Sequence, residues 1–126
     1  AGFFPDWMET SRRGRGDPEP FGTRLRNLVK HFNLTGSLNA DCVQSKVSGS
    51  DDVSDCIFPQ HMIPFIKIPV FISNSRFDFW QLLHVLGADG PADDQALISH
   101  YGDWVAAMIW EAMGGAHGVI RGAFID

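Results

Sequence analysis

Apolar residues recur at helical spacing in the first part of the chain. Between positions 21 and 34, four of them fall on one helical face, namely Leu25, Leu28, Val29 and Phe32. Thr23 is a suitable N-cap, so the spacing predicts an amphipathic helix over residues 23–33. Residues 35–55 are rich in Ser, Asp and Gly and are predicted to form a loop.

An uninterrupted apolar run marks the middle of the chain. Residues 68–72 read IPVFI and are followed by the polar residues SNS. Such a run without polar alternation predicts a strand that is buried on both faces of a parallel sheet. Pro69 lies at its start, where a missing N–H does least harm. The preceding residues 57–66 are predicted to form a short helix or turn broken by Pro64.

Helical patterns follow the predicted strand. Residues 79–86 suit a helix that stops at Gly87, and residues 93–112 carry a second apolar stripe. Apolar residues return at 119–125, where a further strand is expected. Strands that alternate with helices predict an α/β fold, with a mostly parallel sheet and flanking helices.

Composition and charge exclude several classes of protein. The chain has 126 residues, of which 44% are hydrophobic and 20% are charged, and its formal net charge is −5. This length suits one domain or part of one. A mildly acidic surface argues against binding to nucleic acid or anionic membranes, and no apolar run approaches the roughly 18 residues of a membrane span. The first residue is Ala rather than Met, so the chain is expected to derive from a longer one.

Two cysteines and one sequon bear on the compartment. Cys42 and Cys56 enclose a polar loop and are either bonded to each other or two buried thiols. A bond would be expected only in an oxidising compartment. Asn33 begins an N-glycosylation sequon, which has meaning only in a secreted protein. Together these features favour secretion.

Asp78 is the strongest candidate for catalysis. It comes shortly after the predicted strand, and ligands bind at the carboxyl ends of the strands in open α/β sheets. In α/β-hydrolases the acid of the catalytic triad occupies such a loop. The alternative is a turn residue that caps the next helix. The aromatic residues around it, Phe77, Phe79 and Trp80, could stack on a sugar ring or belong to the core.

Other motifs of catalysis are weak or missing in the sequence. No serine stands in the G-x-S-x-G context of a nucleophile elbow. The five histidines show no metal-binding spacing, so no metal and no cofactor are expected. His117 lies in a Gly-rich stretch and is more typical of a loop residue than of a general base.

Three segments in order resemble the plant pectin acetylesterase family, to which the animal Notum carboxylesterases are related. These segments are residues 56–60 (CIFPQ), 66–72 (IKIPVFI) and 74–81 (NSRFDFWQ), against the family's C-F-P-Q, I-K-T-P-L-F and Y-D-x-W-Q. Weaker similarities occur at residues 1–4, 102–104 and 121–126. The resemblance is dense over residues 56–86 and scattered elsewhere.

The resemblance implies a function and a boundary. It implies that residues 1–126 are the C-terminal part of an α/β-hydrolase-like domain, secreted to the cell wall, that removes acetyl groups from pectin. Asp78 matches the triad acid, and Cys42 and Cys56 match a family disulfide. The family's nucleophilic serine is expected before residue 1, and its histidine just after Asp126. The chain alone is therefore expected to be inactive. The alternatives are a non-catalytic pseudoenzyme or carbohydrate-binding remnant and, with less support, a metal-dependent hydrolase.

Overall fold

A computed structural model describes residues 2–8, 19–87, 95–115 and 120–126 of the chain. The helices are α1 (Phe21–His31), α2 (Ala40–Gly49), α3 (Pro59–Met62), α4 (Phe79–Gln81) and α5 (Gln95–Gly115). The strands are β1 (Val70–Asn74) and β2 (Ile120–Ile125). Three 3₁₀ turns, Leu34–Ser37, Val53–Ile57 and Ile63–Phe65, connect the early helices, and α4 continues into a π-helical turn, Leu82–Leu86.

The two strands form a parallel sheet. Ile72 is the register partner of Ala123, and Asn74 is the partner of Ile125, with an irregularity between Val70 and Phe71. A parallel pair needs a long crossover connection, and here the chain between the strands contains α4 and α5. The described residues thus contain a small parallel sheet with flanking helices, which agrees with the predicted α/β class.

The core lies between the sheet and α5. Helix α5 buries residues at intervals of three and four, which is the spacing of one helical face. The N-terminal segment of residues 2–8 adds Phe3 and Trp7 to the same cluster. The buried members are Phe3, Trp7, Ile63, Ile72, Val85, Leu86, Ile98, Tyr101, Val105, Ile109 and Ala112. Among the described helices, none is long and apolar enough to cross a bilayer.

The prediction of a loop over residues 35–55 is wrong, because α2 lies inside it. The side chain of Asn39 caps this helix by accepting the N–H of Cys42 at 3.0 Å. Cys42 is the one buried residue of α2, and it is bonded to Cys56 with a Cα–Cα distance of 6.0 Å. A helix held by its cap and one disulfide needs no apolar stripe, which is why periodicity missed it.

Two other expectations need correction. The first helix begins at Phe21 rather than at residue 23, and Pro20, not Thr23, occupies its N-cap position. Strand β1 is not buried on both faces: Ile72 is buried, whereas Phe71 is 65% exposed. Its apolar sequence therefore does not correspond to two covered faces in the described part of the chain. The expected helix start at residue 93 and His117 lie outside the described residues.

Candidate functional site

Asp78 follows the carboxyl end of β1, separated from it by a short turn. Its backbone leaves the helical region (φ −55°, ψ 119°), and its side chain caps α4 by accepting the N–H of Gln81 at 2.9 Å through Oδ1. The side chain is half-buried. Asp78 therefore has the geometry of a helix cap, and it also stands at the sheet edge where α/β proteins bind ligands.

The N-terminal segment fastens both ends of the loop that carries Asp78. The N–H of Phe3 donates to Asn74 Oδ1 at 2.8 Å, and the carbonyl of Phe3 accepts from Gln81 Nε2 at 3.1 Å. Asn74 ends β1 and Gln81 ends α4. The backbone of Phe3 therefore bridges the two elements that flank Asp78. Sequence reasoning missed this link, because 71 and 78 residues separate the partners.

Tyr101 on α5 completes the buried hydrogen bonds. Its hydroxyl donates to Gln81 Oε1 at 2.8 Å, and its ring meets Trp7 edge-on at 5.1 Å between centroids. Burial raises the pKa of the Tyr101 hydroxyl, and the negative charge of Asp78 raises it further. The carboxylate of Asp78 therefore affects the ionisation of Tyr101, which bonds to Gln81.

Aromatic side chains surround Asp78 at the surface. Phe77, Phe79 and Trp80 are 44%, 67% and 48% exposed. Trp80 packs edge-on against Phe4 at 5.2 Å and contacts the ring of His84 at 4.5 Å. It also borders a groove of about 400 Å³ whose lining is mainly apolar and includes Phe4. The structure leaves these three rings exposed, so the interpretation that places them in the core is wrong for Phe77, Phe79 and Trp80.

A second polar cluster joins the N-terminal segment to α1, α2 and the 3₁₀ turn Val53–Ile57. Arg26 on α1 forms ion pairs with Asp6 and with Asp55, and Lys46 on α2 donates to the other oxygen of Asp55 at 2.9 Å. Asp6, Asp55 and His61 place ligand atoms within 4.8 Å of one another, a spacing that cation ligands can adopt. Arg26 and Lys46 already supply positive charge to these carboxylates, so the cluster is an ion-pair network between distant segments.

The same network determines how its members titrate. Burial alone would raise the pKa of the Asp55 carboxyl, but hydrogen bonds from Lys46 and Arg26 lower it below its ordinary value. Burial lowers the pKa of His61, and the nearby charge of Lys46 lowers it further. His61 is therefore held toward its neutral form.

The described histidines contact groups other than Asp78. The ring of His61 lies 4.0 Å from Asp6, that of His84 lies against Trp80, and that of His31 lies against Phe32. The fourth, His100, has an edge-on contact with Trp7 at 6.1 Å between ring centroids. None of these four named contacts involves Asp78.

Two features tied to secretion are also located. The disulfide between Cys42 and Cys56 joins α2 to the 3₁₀ turn Val53–Ile57 and encloses the segment between them. Asn33 is exposed and has a left-handed backbone (φ 51°) just before the 3₁₀ turn Leu34–Ser37. An amide at such a position is open to solvent.

Comparisons with other proteins agree with the resemblance seen in the sequence. Residues 1–100 match a protein-family model described as Pectinacetylesterase. The chain is 31% identical over 80 residues to Pectin acetylesterase 4 of Arabidopsis thaliana, covering 64% of this chain and 18% of that protein. It is 42% identical over 74 residues to Pectin acetylesterase 5 of the same plant, covering 55% and 16%. The matches thus span less than a fifth of either relative. No solved structure matches.

Proposed function

Because this chain belongs to the pectinacetylesterase family, we propose that it is part of a carboxylic ester hydrolase that removes acetyl groups from pectin. The observation that carries the proposal is the position of Asp78 at the carboxyl end of a parallel strand, within the residues that match the family. We take the whole domain to have an α/β-hydrolase-like fold, of which β1, β2 and α5 are one part.

In this proposal Asp78 is the acid of a Ser–His–Asp triad. Its carboxylate accepts a hydrogen bond from the imidazole, fixes the tautomer and stabilises the imidazolium. The serine oxygen attacks the acetyl carbonyl while the imidazole takes its proton. The bond to the sugar oxygen then breaks, and that oxygen receives the proton. Water hydrolyses the resulting acetyl-enzyme by the reverse proton transfers. The serine and the histidine come from other parts of the polypeptide.

Exposed aromatic rings favour a second candidate function. Phe79 and Trp80 are 67% and 48% exposed beside Asp78, and flat aromatic faces suit contact with sugar rings. A chain that binds pectin without hydrolysing it would use the same surface. Binding of oligogalacturonides to the isolated chain, with loss on Trp80→Ala, would support this candidate.

We also propose that the protein is secreted to the cell wall and carries a glycan on Asn33. The support is the exposure of Asn33 and the presence of a disulfide, which persists in oxidising compartments. Mass spectrometry of glycopeptides from secreted material would test it. An unmodified Asn33 in such material would contradict the glycosylation.

Acetate release from acetylated pectin tests the enzymatic proposal. In the complete polypeptide, Asp78→Asn should lower kcat by roughly 10³–10⁴, because the histidine loses the carboxylate that sets its tautomer. Asp41→Asn serves as a control, since Asp41 is exposed and pairs with Lys67. The isolated chain should release no acetate.

Two results would overturn the proposal. If the complete Asp78→Asn protein kept its rate, Asp78 would be a turn residue only. Substantial hydrolysis of p-nitrophenyl acetate by the isolated chain would place the chemistry elsewhere, and His117 would be the first residue to replace.

A further inference from the structure

Gln81 is a buried amide that connects three separate segments. Its side chain is 1% exposed. Its Oε1 accepts the hydroxyl of Tyr101, its Nε2 donates to the carbonyl of Phe3, and its backbone N–H donates to Asp78. Burying an amide costs free energy unless its hydrogen bonds are made, and an apolar side chain would fill the space without that requirement. The amide thus contributes a connection in addition to packing.

The hydrogen bonds of Phe3 hold the loop that carries Asp78 at both ends. Phe3 is 5% exposed, and both of its backbone groups are bound by side chains, one before the loop and one after it. Asn74 also donates to the carbonyl of Ser75 at 2.8 Å, which fixes the first residue of the turn. The four residues from Ser75 to Asp78 therefore run between two anchored points.

Tyr101 gives the amide a rigid support. It is 0% exposed, and its ring is held by Trp7 at 5.1 Å and by Trp104 at 6.3 Å between centroids. Its hydroxyl binds the oxygen of the Gln81 amide, which leaves the nitrogen to face Phe3. The orientation of the amide is therefore determined by two buried partners, Phe3 and Tyr101.

We infer that Gln81 is a positioning residue for the Asp78 carboxylate, and that Tyr101 and Phe3 hold it in place. The inference rests on the proposed role of Asp78. The N–H of Gln81 binds Oδ1, and in this inference the other oxygen, Oδ2, accepts the imidazole N–H of the complete enzyme. Misplacing a catalytic group by about 1 Å can cost roughly 10²-fold in rate, so the anchor of Gln81 has consequences for turnover.

The experiment compares three variants of the complete esterase on acetylated pectin. Gln81→Met removes the amide and nearly keeps its volume, while Tyr101→Phe removes only the hydroxyl. Gln60→Met is the matched control: Gln60 also ties the N-terminal segment, by accepting the N–H of Asp6 at 3.2 Å, but it does so from α3. We expect kcat/KM to fall roughly 10–100-fold in Gln81→Met and less in Tyr101→Phe, and to stay within about twofold in the control.

The pH profile of kcat/KM separates positioning from a merely structural role. A carboxylate near the imidazole favours the charged imidazole, so a misplaced Asp78 should move the acidic limb of the profile to lower pH. A smaller folded fraction would reduce the rate without moving that limb. Among the described residues, the ionisable groups that hydrogen-bond to Gln81 are Asp78 and Tyr101. Tyr101 ionises above its ordinary range, so it does not contribute to an acidic limb.

The outcomes decide between the inference and the proposed function. A folded Gln81→Met enzyme with the wild-type rate and profile overturns the positioning inference. If that variant fails to fold, Tyr101→Phe is judged by the same two readouts. Asp78→Asn is assayed beside them: if it keeps its rate, the proposed function fails, whereas a loss confined to Asp78→Asn refutes only the role of Gln81.

Discussion

Replacement of Arg26 by Met should destabilise the chain by about 3 kcal/mol. Arg26 binds both Asp6 and Asp55, and the three side chains are only 18%, 10% and 16% exposed. Removing one partner of a fully buried ion pair costs about 3–5 kcal/mol, because a buried charge is left behind, and the partial burial of these side chains reduces that cost. Lys46 still pairs with Asp55 at 2.9 Å, which places the expected loss at the lower end. Methionine keeps an apolar contact over the ring of Phe58, which the guanidinium covers at 4.8 Å.

The assay is urea unfolding followed by tryptophan fluorescence, with a thermal melt beside it. For a domain of this size, 3 kcal/mol corresponds to a fall in Tm of about 10 °C. Lys67→Met is the control, because its ion pair with Asp41 joins side chains that are 82% and 51% exposed. Exposed pairs contribute at most about 1 kcal/mol, so the control should remain near the wild type.

The loss should also depend on pH. The folded-state pKa of Asp55 lies below its ordinary value of 3.8, so its contribution to stability is present above that pH and disappears as the pH falls through the folded pKa. The difference between wild type and Arg26→Met should therefore shrink below about pH 4. A loss under about 1 kcal/mol, or an equal loss at pH 3 and pH 7, would refute the reasoning.

Three further predictions concern the disulfide, the tyrosine and the core. Reduction of the bond between Cys42 and Cys56, which are 14 residues apart, should cost about 3 kcal/mol in the chain-entropy model, measured by urea unfolding with and without reductant. Tyr101 is the chain's one tyrosine, so its alkaline absorbance titration is specific, and Asp78→Asn should lower its pKa toward 10.0 while burial keeps it above that value. Because that pKa is raised by folding, the contribution of Tyr101 to stability should be fully present below about pH 10 and be lost as the pH rises above it. An unchanged titration in Asp78→Asn would contradict the electrostatic effect of Asp78 on Tyr101. Ile109→Ala, at a position with 0% exposure, should cost about 2–5 kcal/mol in the same unfolding assay, and a loss below 1 kcal/mol would show a poorly packed core.

Regular apolar patterns predicted their elements well. The first helix, the strand at Val70–Asn74 and the long helix at Gln95–Gly115 appear where periodicity or an apolar run indicated them, apart from small shifts at their ends. Helix α2 was missed because Asn39 and Cys42 stabilise it through a cap and a disulfide, neither of which produces a periodic pattern. The prediction that both faces of β1 are buried was wrong, because hydrophobicity alone does not specify which side of a strand is covered.

In the candidate site, features set by nearby residues could be predicted and features set by distant residues could not. The loop containing Asp78 could be located from the sequence, because it depends on the nearby end of a strand and the start of a helix. The hydrogen bonds through Gln81 could not, since its partners Phe3 and Tyr101 lie 78 and 20 residues away and meet only in the folded chain. The catalytic role of Asp78 stays a prediction.

The N-terminal segment of residues 2–8 binds the rest of the chain through apolar, ionic and aromatic contacts, as a bound peptide would. It contributes Phe3 and Trp7 to the core, pairs Asp6 with Arg26, and packs Trp7 against Trp104 at 4.9 Å between ring centroids. Cleavage of the chain between residues 8 and 19 would convert this segment into a separate peptide with its recognition groups intact. The two pieces could then be studied as a split protein, in which reassociation restores the Asp78 loop and the affinity of the peptide measures how strongly that loop is held.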